Sequence, residues 1–410
     1  MLTKLSLKNL QVAGKKILMR VDFNVPLDPL GQIIDDTRIQ ASLPSIEYIL
    51  KQGGSVILMS HLGRPKGQKV PNFSLLPCAK HLSMLIERPV HMALDCVGKS
   101  VEEQVQKLGA CQVMLLENLR FHHAEEYPEH NFSFAQQLSK LGDAYVDDAF
   151  GTAHRKHTST YYLPKLFPQE AAMGFLMEKE ILSLEKFIGD SKKPFCAIIG
   201  GAKISTKIGL LKTLLNKVDI LLIGGAMAFT FMKAHGYTIG DSLYEPEFLP
   251  MAKDILDESR IKGVQVVLPV DHIIAQRLEN PANVSIILSK AGIPEGYQGF
   301  DIGPLTIQQF SEFIQEAATV FWNGPLGAIE AIKFANGTLA IAEKVAHSAA
   351  TTVVGGGDSI TALQKAGLME KITHISTGGG ASLKFLESGT LPGIEALSSA
   401  YRLAKKLSTF

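Results

Sequence analysis

The feature that most constrains this chain is a recurrence. Ten short apolar runs, rich in Val, Ile and Leu, carry glycine or polar residues at or near their carboxyl ends. Four lie at 16–23, 55–61, 112–118 and 144–150; six follow at 195–201, 219–225, 264–271, 319–325, 351–357 and 374–380. Continuous apolar runs of this length suit strands buried on both faces, as in parallel sheets. Intervening stretches such as 203–217 and 330–346 carry helical period. The alternation predicts an α/β chain with doubly wound, mainly parallel sheets. Between the two groups, 174–190 ("GFLMEKEILSLEKFIGD") repeats apolar residues at helical spacing, and "GDSKKP" closes it with turn residues and charge. The expected organisation is two such domains, 1–173 and 191–389, joined by this long helix and a hinge.

Composition narrows the function classes. With 410 residues, 46% hydrophobic and 20% charged, the chain has room for two or three cores. A net charge of +1 gives no global field for nucleic acid or a membrane, so any anion site must come from local clustering. The four cysteines, Cys78, Cys96, Cys111 and Cys196, form no Cys-x-x-Cys pair and read as free thiols in a reducing compartment. The first residues carry no signal-peptide pattern, and the charge-free run at 220–232 is too short to span a bilayer. A cytoplasmic protein is expected.

The unusual residues sit at the carboxyl ends of the runs: Asp22, His61, Asn118, Asp148, Gly200, Gly224, Asp271, Asn323, Gly355 and Gly378. Open α/β sheets bind ligands outside that edge. The first group brings cations. "RVDFNVP" supplies Asp22 and Asn24, a donor and acceptor pair suited to hydroxyls. "SHLGRPKG" supplies His61 and Arg64, and "ENLRFH" and "GTAHRKH" supply Arg120 and Arg155. With Arg38 these make a converging anion pocket, since Arg binds phosphate and carboxylate bidentately. Arg38 could instead pair with Asp35 or Asp36 at the surface.

The second group brings glycines, lysines and a carboxylate. "GGAKISTKIG" places Gly200 and Gly201 at a strand end and Lys203 and Lys207 after them. Their spacing of four predicts one face of a following helix. "VVGGGDSITAL" runs three glycines into Asp358 and Ser359, and "STGGGAS" gives a further glycine-rich helix start. Helix N-termini bind phosphate, and Mg²⁺ takes one or two carboxylates plus phosphate oxygens, which makes Asp358 a metal candidate. Two tempting matches fail. "ALDCVGKS" has Ala93 where a phosphate-loop motif needs its first glycine, and no Gly-x-Gly-x-x-Gly follows a first strand. His122, His123 and His157 read as surface or satisfied histidines.

In their order, "LMRVDFNVPLD", "SHLGRPKG", "LLENLRFH", "DDAFGTAHR", "GGAKISTKI", "FWNGPLGAIE", "GGGDS" and "HISTGGGASL" resemble the phosphoglycerate kinases, from about Leu5 to Leu397. The resemblance implies a cytoplasmic, monomeric, two-domain enzyme of glycolysis and gluconeogenesis. It implies reversible transfer of the acyl phosphate of 1,3-bisphosphoglycerate to ADP, giving 3-phosphoglycerate and ATP, directly and in line across a closing interdomain cleft. It implies Mg²⁺ with the nucleotide, and no nucleic-acid or membrane partner. Asp22, Asn24, Arg38, His61, Arg64, Arg120 and Arg155 fall on the triose-acid site of the first domain. Gly200, Gly201, Lys203, Lys207, Gly224, Gly225, Gly299, Asn323, Pro325, Glu330, Gly356, Gly357, Asp358 and Ser359 fall on the nucleotide site of the second. Arg38, Lys203, Lys207 and Gly380 fall on the positions that act on the transferring group, and Asp358 on the metal position. The segment 390–410 is expected to pack back on the first domain.

Two departures stand out. Ala226 replaces a frequent third glycine and could tilt nucleotide preference. The chain also continues past "LPGIEAL" with "SSAYRLAKKLSTF". One rival reading is a degenerate kinase kept as a scaffold, which loss of Arg38, a lysine or Asp358 would favour; all are present. Another is that "YRLAKKL" docks the chain on a membrane or partner, against the plainer reading of a solvated terminal helix.

Overall fold

The computed structural model describes residues 4–189 and 191–400. The chain divides into two compact units, Met1–Leu182 with Ser388–Phe410, and Ser183–Glu387. The divide falls within the helix Phe175–Gly189, which covers most of the expected connector.

The first unit is built on β1 (Lys16–Arg20), β2 (Ser55–Met59), β3 (Val90–Met92), β4 (Val113–Leu115), β5 (Ala144–Asp147) and β6 (Ala171–Met173). They form one parallel sheet in the order β3-β4-β2-β1-β5-β6. All of β2 is buried, as a strand covered by helices on both faces must be. The helix Thr37–Lys51 buries Ile39, Ile46, Ile49 and Leu50 against Ile17, Met19, Val56 and Leu58. Each such side chain removed from water contributes about 1.5–3 kcal/mol.

The second unit holds β7 (Phe195–Ile199), β8 (Ile220–Ile223), β9 (Gln265–Val267), β10 (Asp271–Ala275), β11 (Val284–Leu288), β12 (Gln298–Ile302), β13 (Thr319–Asn323), β14 (Thr351–Gly355) and β15 (His374–Ser376). Six make a parallel sheet in the order β15-β14-β13-β7-β8-β9, and β11-β10-β12 form a small antiparallel sheet. Trp322, Ile198, Phe310 and Ile341 lie at the centre of this unit's core. In each large sheet the chain runs first to one side of a central strand and then to the other. These switch points are β1 with β5, and β7 with β13. Loops diverge there and leave a crevice at the carboxyl edge.

All ten apolar runs contain a strand, each shorter than its run because the polar or glycine end turns into the loop. Two short strands and the antiparallel sheet were not anticipated. β3 is a partly exposed edge, β6 is Ala-Ala-Met without a β-branched residue, and β11 is exposed on nearly every side chain. Asp271 corrects one reading. It does not end a strand at the ligand edge but opens β10, where its buried carboxylate accepts from Leu305 N (3.0 Å), Thr306 N (2.8 Å) and Thr306 Oγ1 (2.6 Å). It caps the helix Pro304–Glu316. The described part of the final segment packs on the first unit: Leu5 N donates to Ser398 O, Ser398 N to Ala171 O, and Gly393 N to Ala153 O. "YRLAKKL" and the residues after it lie outside the described residues. No helix among the described residues is long and apolar enough to cross a membrane.

Candidate functional site

In the first unit, β1 delivers Arg20 and then Asp22 and Asn24. The helix Thr37–Lys51 brings Arg38, whose Nη1 donates to Asp22 Oδ2 at 2.8 Å. Asp22, not Asp35 or Asp36, is therefore the partner of Arg38. Asn24 Oδ1 accepts from Gly63 N at 2.8 Å and fixes the turn after β2, on which His61 and Arg64 stand. Arg120 is buried; its Nη1 donates to Gly63 O at 2.8 Å, and its Nε lies 3.1 Å from Glu126 Oε1. Arg155 is half-buried, with Nε donating to His154 Nε2 at 3.2 Å. Arg64 is exposed.

Electrostatic coupling groups Arg20, Arg38, Arg120 and Arg155 around His61 in one basin. Burial, then Arg20, Arg120, Arg38 and Arg155 in turn, hold His61 well below the ordinary histidine value. His157 is pushed down to about 3 by burial and by Arg120, Arg155 and Arg20. Both imidazoles are neutral near pH 7 and serve as hydrogen-bonding groups, while the arginines supply the positive field. Arg20, only 1% exposed, is a member that the sequence reading missed. A lone arginine inside the apolar run "KILMRVDF" was the available sign.

In the second unit, four loops meet at the switch point of β7 and β13. Gly200 N donates to Asn323 O (3.0 Å) and Gly201 N to Pro325 O (2.8 Å). A Cβ on Gly200 would stand 2.2 Å from Pro325 O and 2.8 Å from Gly324 O, so only glycine lets these two loops lie together. The close approach expected here is first of all loop against loop. Gly201 and Gly225 then line the floor of a cavity of about 450 Å³, with Ala226, Phe229, Leu243 and Leu326 as apolar walls and Glu330 and Asp358 among its polar lining. Pro325 and Gly299 line it too. A Cβ at Gly299 would stand 2.2 Å from the Phe229 ring, so a side chain there would displace that cavity wall. Gly224 lies against Leu326 in the same way, beneath the cavity. Ala226 stands in ordinary helical backbone before the helix Met227–Ala234, so its methyl fits without strain.

The lysines correct the helical-face reading. The helix starts at Ile208, so Lys203 and Lys207 lie in the loop before it. That loop is held by Glu245, which accepts from Ser205 N (3.0 Å) and Ser205 Oγ (2.6 Å). Lys203 is exposed. Lys207 is half-buried and donates to Asn323 Oδ1, while Asn323 Nδ2 donates to Gly355 O at 2.8 Å. Burial pushes the Lys207 ammonium down to about 8, against the pull of Asp358. Gly356 sits at φ +96°, in the left-handed region that favours glycine, and turns the chain so that Gly357 opens the helix Gly357–Ala366. Asp358 is exposed in its first turn, while the Ser359 hydroxyl is used internally, accepting from Gly324 N at 2.8 Å. Gly380 opens the helix Gly380–Ser388 after the neighbouring strand β15.

The comparisons match this arrangement. The family model for phosphoglycerate kinase matches residues 7–389. The chain is 50% identical over 400 residues to the phosphoglycerate kinase of Chlamydia muridarum, covering 97% of this chain and 99% of that one. It is 51% identical over 398 residues to that of Pelodictyon phaeoclathratiforme, covering 96% and 99%. The solved phosphoglycerate kinase of Coxiella burnetii superposes with a TM-score of 0.84 at 38% identity, covering 96% of this chain and 98% of that one. The chain belongs to the phosphoglycerate kinase family. Membership makes it a phosphotransferase with a carboxyl group as acceptor, acting in glycolysis.

Set beside that activity, several residues singled out in the sequence serve the scaffold of this phosphoglycerate kinase fold. Asn118 Nδ2 donates to Leu62 O (2.7 Å) and Phe73 O (2.8 Å) and ties the arginine loops together. Asp148 Oδ1 accepts from Leu176 N (2.8 Å) and Met177 N (3.2 Å) and caps the helix Phe175–Gly189. His122 pairs with Asp95 at 2.6 Å, and His123 stacks on Tyr127. Cys78, Cys96 and Cys196 are buried, Cys111 is half-buried, and all four are free.

Proposed function

We propose that the first unit binds 3-phosphoglycerate or its acyl phosphate, that the second binds ADP or ATP with Mg²⁺, and that the phosphoryl group passes directly between them. The observation that carries this reading is the separation of chemistry: a cationic basin in one unit, and a glycine-floored apolar cavity beside a lysine and a carboxylate in the other. The cavity walls suit a flat base, and the backbone amides at Gly357 and Gly380 suit its phosphates. Asp358 fits a Mg²⁺ position, being an exposed hard oxygen at a helix N-terminus beside Lys207. The ion supplies charge neutralisation on the phosphate oxygens when bound. Arg64, Arg120 and Arg155 hold the triose acid, with Asp22, Asn24 and His61 on its hydroxyl and carboxylate. Arg38 and Lys207 stabilise charge on the equatorial oxygens as it develops, with Lys203 and the Gly380 amide beside them.

Among the described residues, the state of the buried thiols and of the Ser359 hydroxyl supports direct transfer. Burial pushes the Cys78 and Cys196 thiols up to about 12 and Cys96 well above the usual range. The Ser359 hydroxyl is occupied within the fold. The attacking atom is already a carboxylate or phosphate oxygen, so no general base is required. The cytoplasm and a monomeric state go with this reading. Transfer from a chirally labelled γ-phosphate of ATP to 3-phosphoglycerate tests it. Inversion at phosphorus is expected; retention, which a phosphoenzyme intermediate produces, overturns direct transfer.

A further inference from the structure

We propose that Glu125 and Ser159 are positioning residues that, through Arg20, fix His61 with its proton on Nε2. Arg20 is buried and has five N–H donors and no acceptor. Its Nε donates to Ser159 Oγ at 2.9 Å, its Nη1 donates to Val21 O, and its Nη2 faces His61 Nδ1 at 3.2 Å. A guanidinium can bond to Nδ1 only as a donor, so Nδ1 carries the lone pair. His61 is neutral in this field. Its single proton is therefore on Nε2, which leaves a donor free for an anionic or hydroxyl oxygen.

The choice has a competitor beside it. Asp22 Oδ1 lies 3.8 Å from the same Nδ1. If Arg20 turns away, Asp22 can accept from a protonated Nδ1, and Nε2 becomes a lone pair facing an anionic ligand. What holds Arg20 in place comes from the far side. Ser159, in the turn Thr158–Tyr162, donates through Oγ to Glu125 Oε1 at 2.6 Å and through N to Oε2 at 3.0 Å. Glu125 is 1% exposed, and with the buried Asp147 its carboxylate compensates the buried guanidinium; of the two, Glu125 is the one bonded to Ser159. Thr158 Oγ1 donates to Ala124 O at 2.6 Å and locks the two segments together. The relay Glu125–Ser159–Arg20–His61 thus joins a four-residue helix (His123–Glu126) to the binding basin. Neither Glu125 nor Ser159 belongs to the set that meets substrate.

This inference rests on the reading of the basin as the triose-acid site, and its test separates the two. In protein labelled with ¹⁵N histidine, long-range proton–nitrogen correlation at neutral pH reads the tautomer of His61. The expected wild-type pattern is a protonated-type Nε2 and an unprotonated-type Nδ1. Glu125→Gln leaves Ser159 one acceptor oxygen in place of two and removes the charge opposite Arg20. Its two His61 nitrogen resonances are expected to move toward each other, while KM for 3-phosphoglycerate rises several-fold and kcat stays close to wild type. Ser159→Ala keeps both charges, removes only the bridging hydroxyl, and is expected to give the same shift. A wild-type His61 protonated on Nδ1 overturns the proposal without any variant. So do unmoved resonances in either folded variant, whatever KM does. Moved resonances beside an unchanged KM support the relay and contradict the triose-acid reading.

Discussion

Lys207 offers the sharpest dependence that the structure allows to be worked out. Its ammonium is pushed down to about 8 by burial, with Asp358 as the opposing charge. The lysine acts on phosphate only when charged. With a pKa of about 8, about nine-tenths of the free enzyme is competent near pH 7, about half near pH 8 and about one-tenth near pH 9. The kcat/KM for Mg-ATP, which reports the enzyme before nucleotide binds, is therefore expected to fall about tenfold between roughly pH 7 and 9. Bound phosphate favours the charged form, so kcat should hold to higher pH. Lys207→Arg keeps the charge throughout, since arginine stays protonated in proteins, and should flatten the fall even if its overall rate is lower. Steady-state assays at saturating 3-phosphoglycerate across this range decide the matter. A fall of the same size and midpoint in Lys207→Arg would refute the assignment.

Three further outcomes follow from the same geometry. Arg38→Ala should fold and bind each substrate within several-fold of wild type, yet lose about 10³-fold or more in both kcat and kcat/KM, since its charge is used mainly at transfer; near-normal kcat in a steady-state assay would remove it from the mechanism. Gly200→Ala sets a methyl 2.2 Å from Pro325 O, so denaturant unfolding should show a loss of about 1–3 kcal/mol, with weakened nucleotide binding alongside. Asp148 is raised to about 7 by burial, above its unfolded value of about 3.9, so its contribution to stability is full below about pH 4 and is lost as pH rises to about 7. Asp148→Asn retains an acceptor oxygen for Leu176 N and Met177 N, and unfolding measured at several pH values should show this decline, on the order of a few kcal/mol, removed.

The sequence was most informative where a residue type has one main use. Long apolar runs can only be buried strands or helices, so both parallel sheets were legible, and the polar and glycine ends of the runs marked the loops at the carboxyl edge. It was least informative where a side chain serves the scaffold. Asp148 and Asp271 look like site carboxylates but cap helices, because a buried N-terminus needs an acceptor as much as a ligand does. Spacing put Lys203 and Lys207 on a helix, but Glu245 holds that stretch as a loop from 40 residues away in the chain. Gly200 and Gly224 show a packing need that sequence does not reveal: a Cβ at either would meet Pro325 or Leu326. Glu125 and Ser159 carried no local mark at all, since their role exists only where two distant segments meet.

The central claim is that the two ligands are bound by different units, and calorimetry on one clean variant from each tests it most directly. Arg64 and Asp358 are both exposed, so truncating either should leave its unit intact. Arg64→Ala is expected to weaken 3-phosphoglycerate binding and leave Mg-ADP binding near wild type. Asp358→Ala should do the reverse. Loss of both ligands in either variant, or loss of the other unit's ligand, would contradict it.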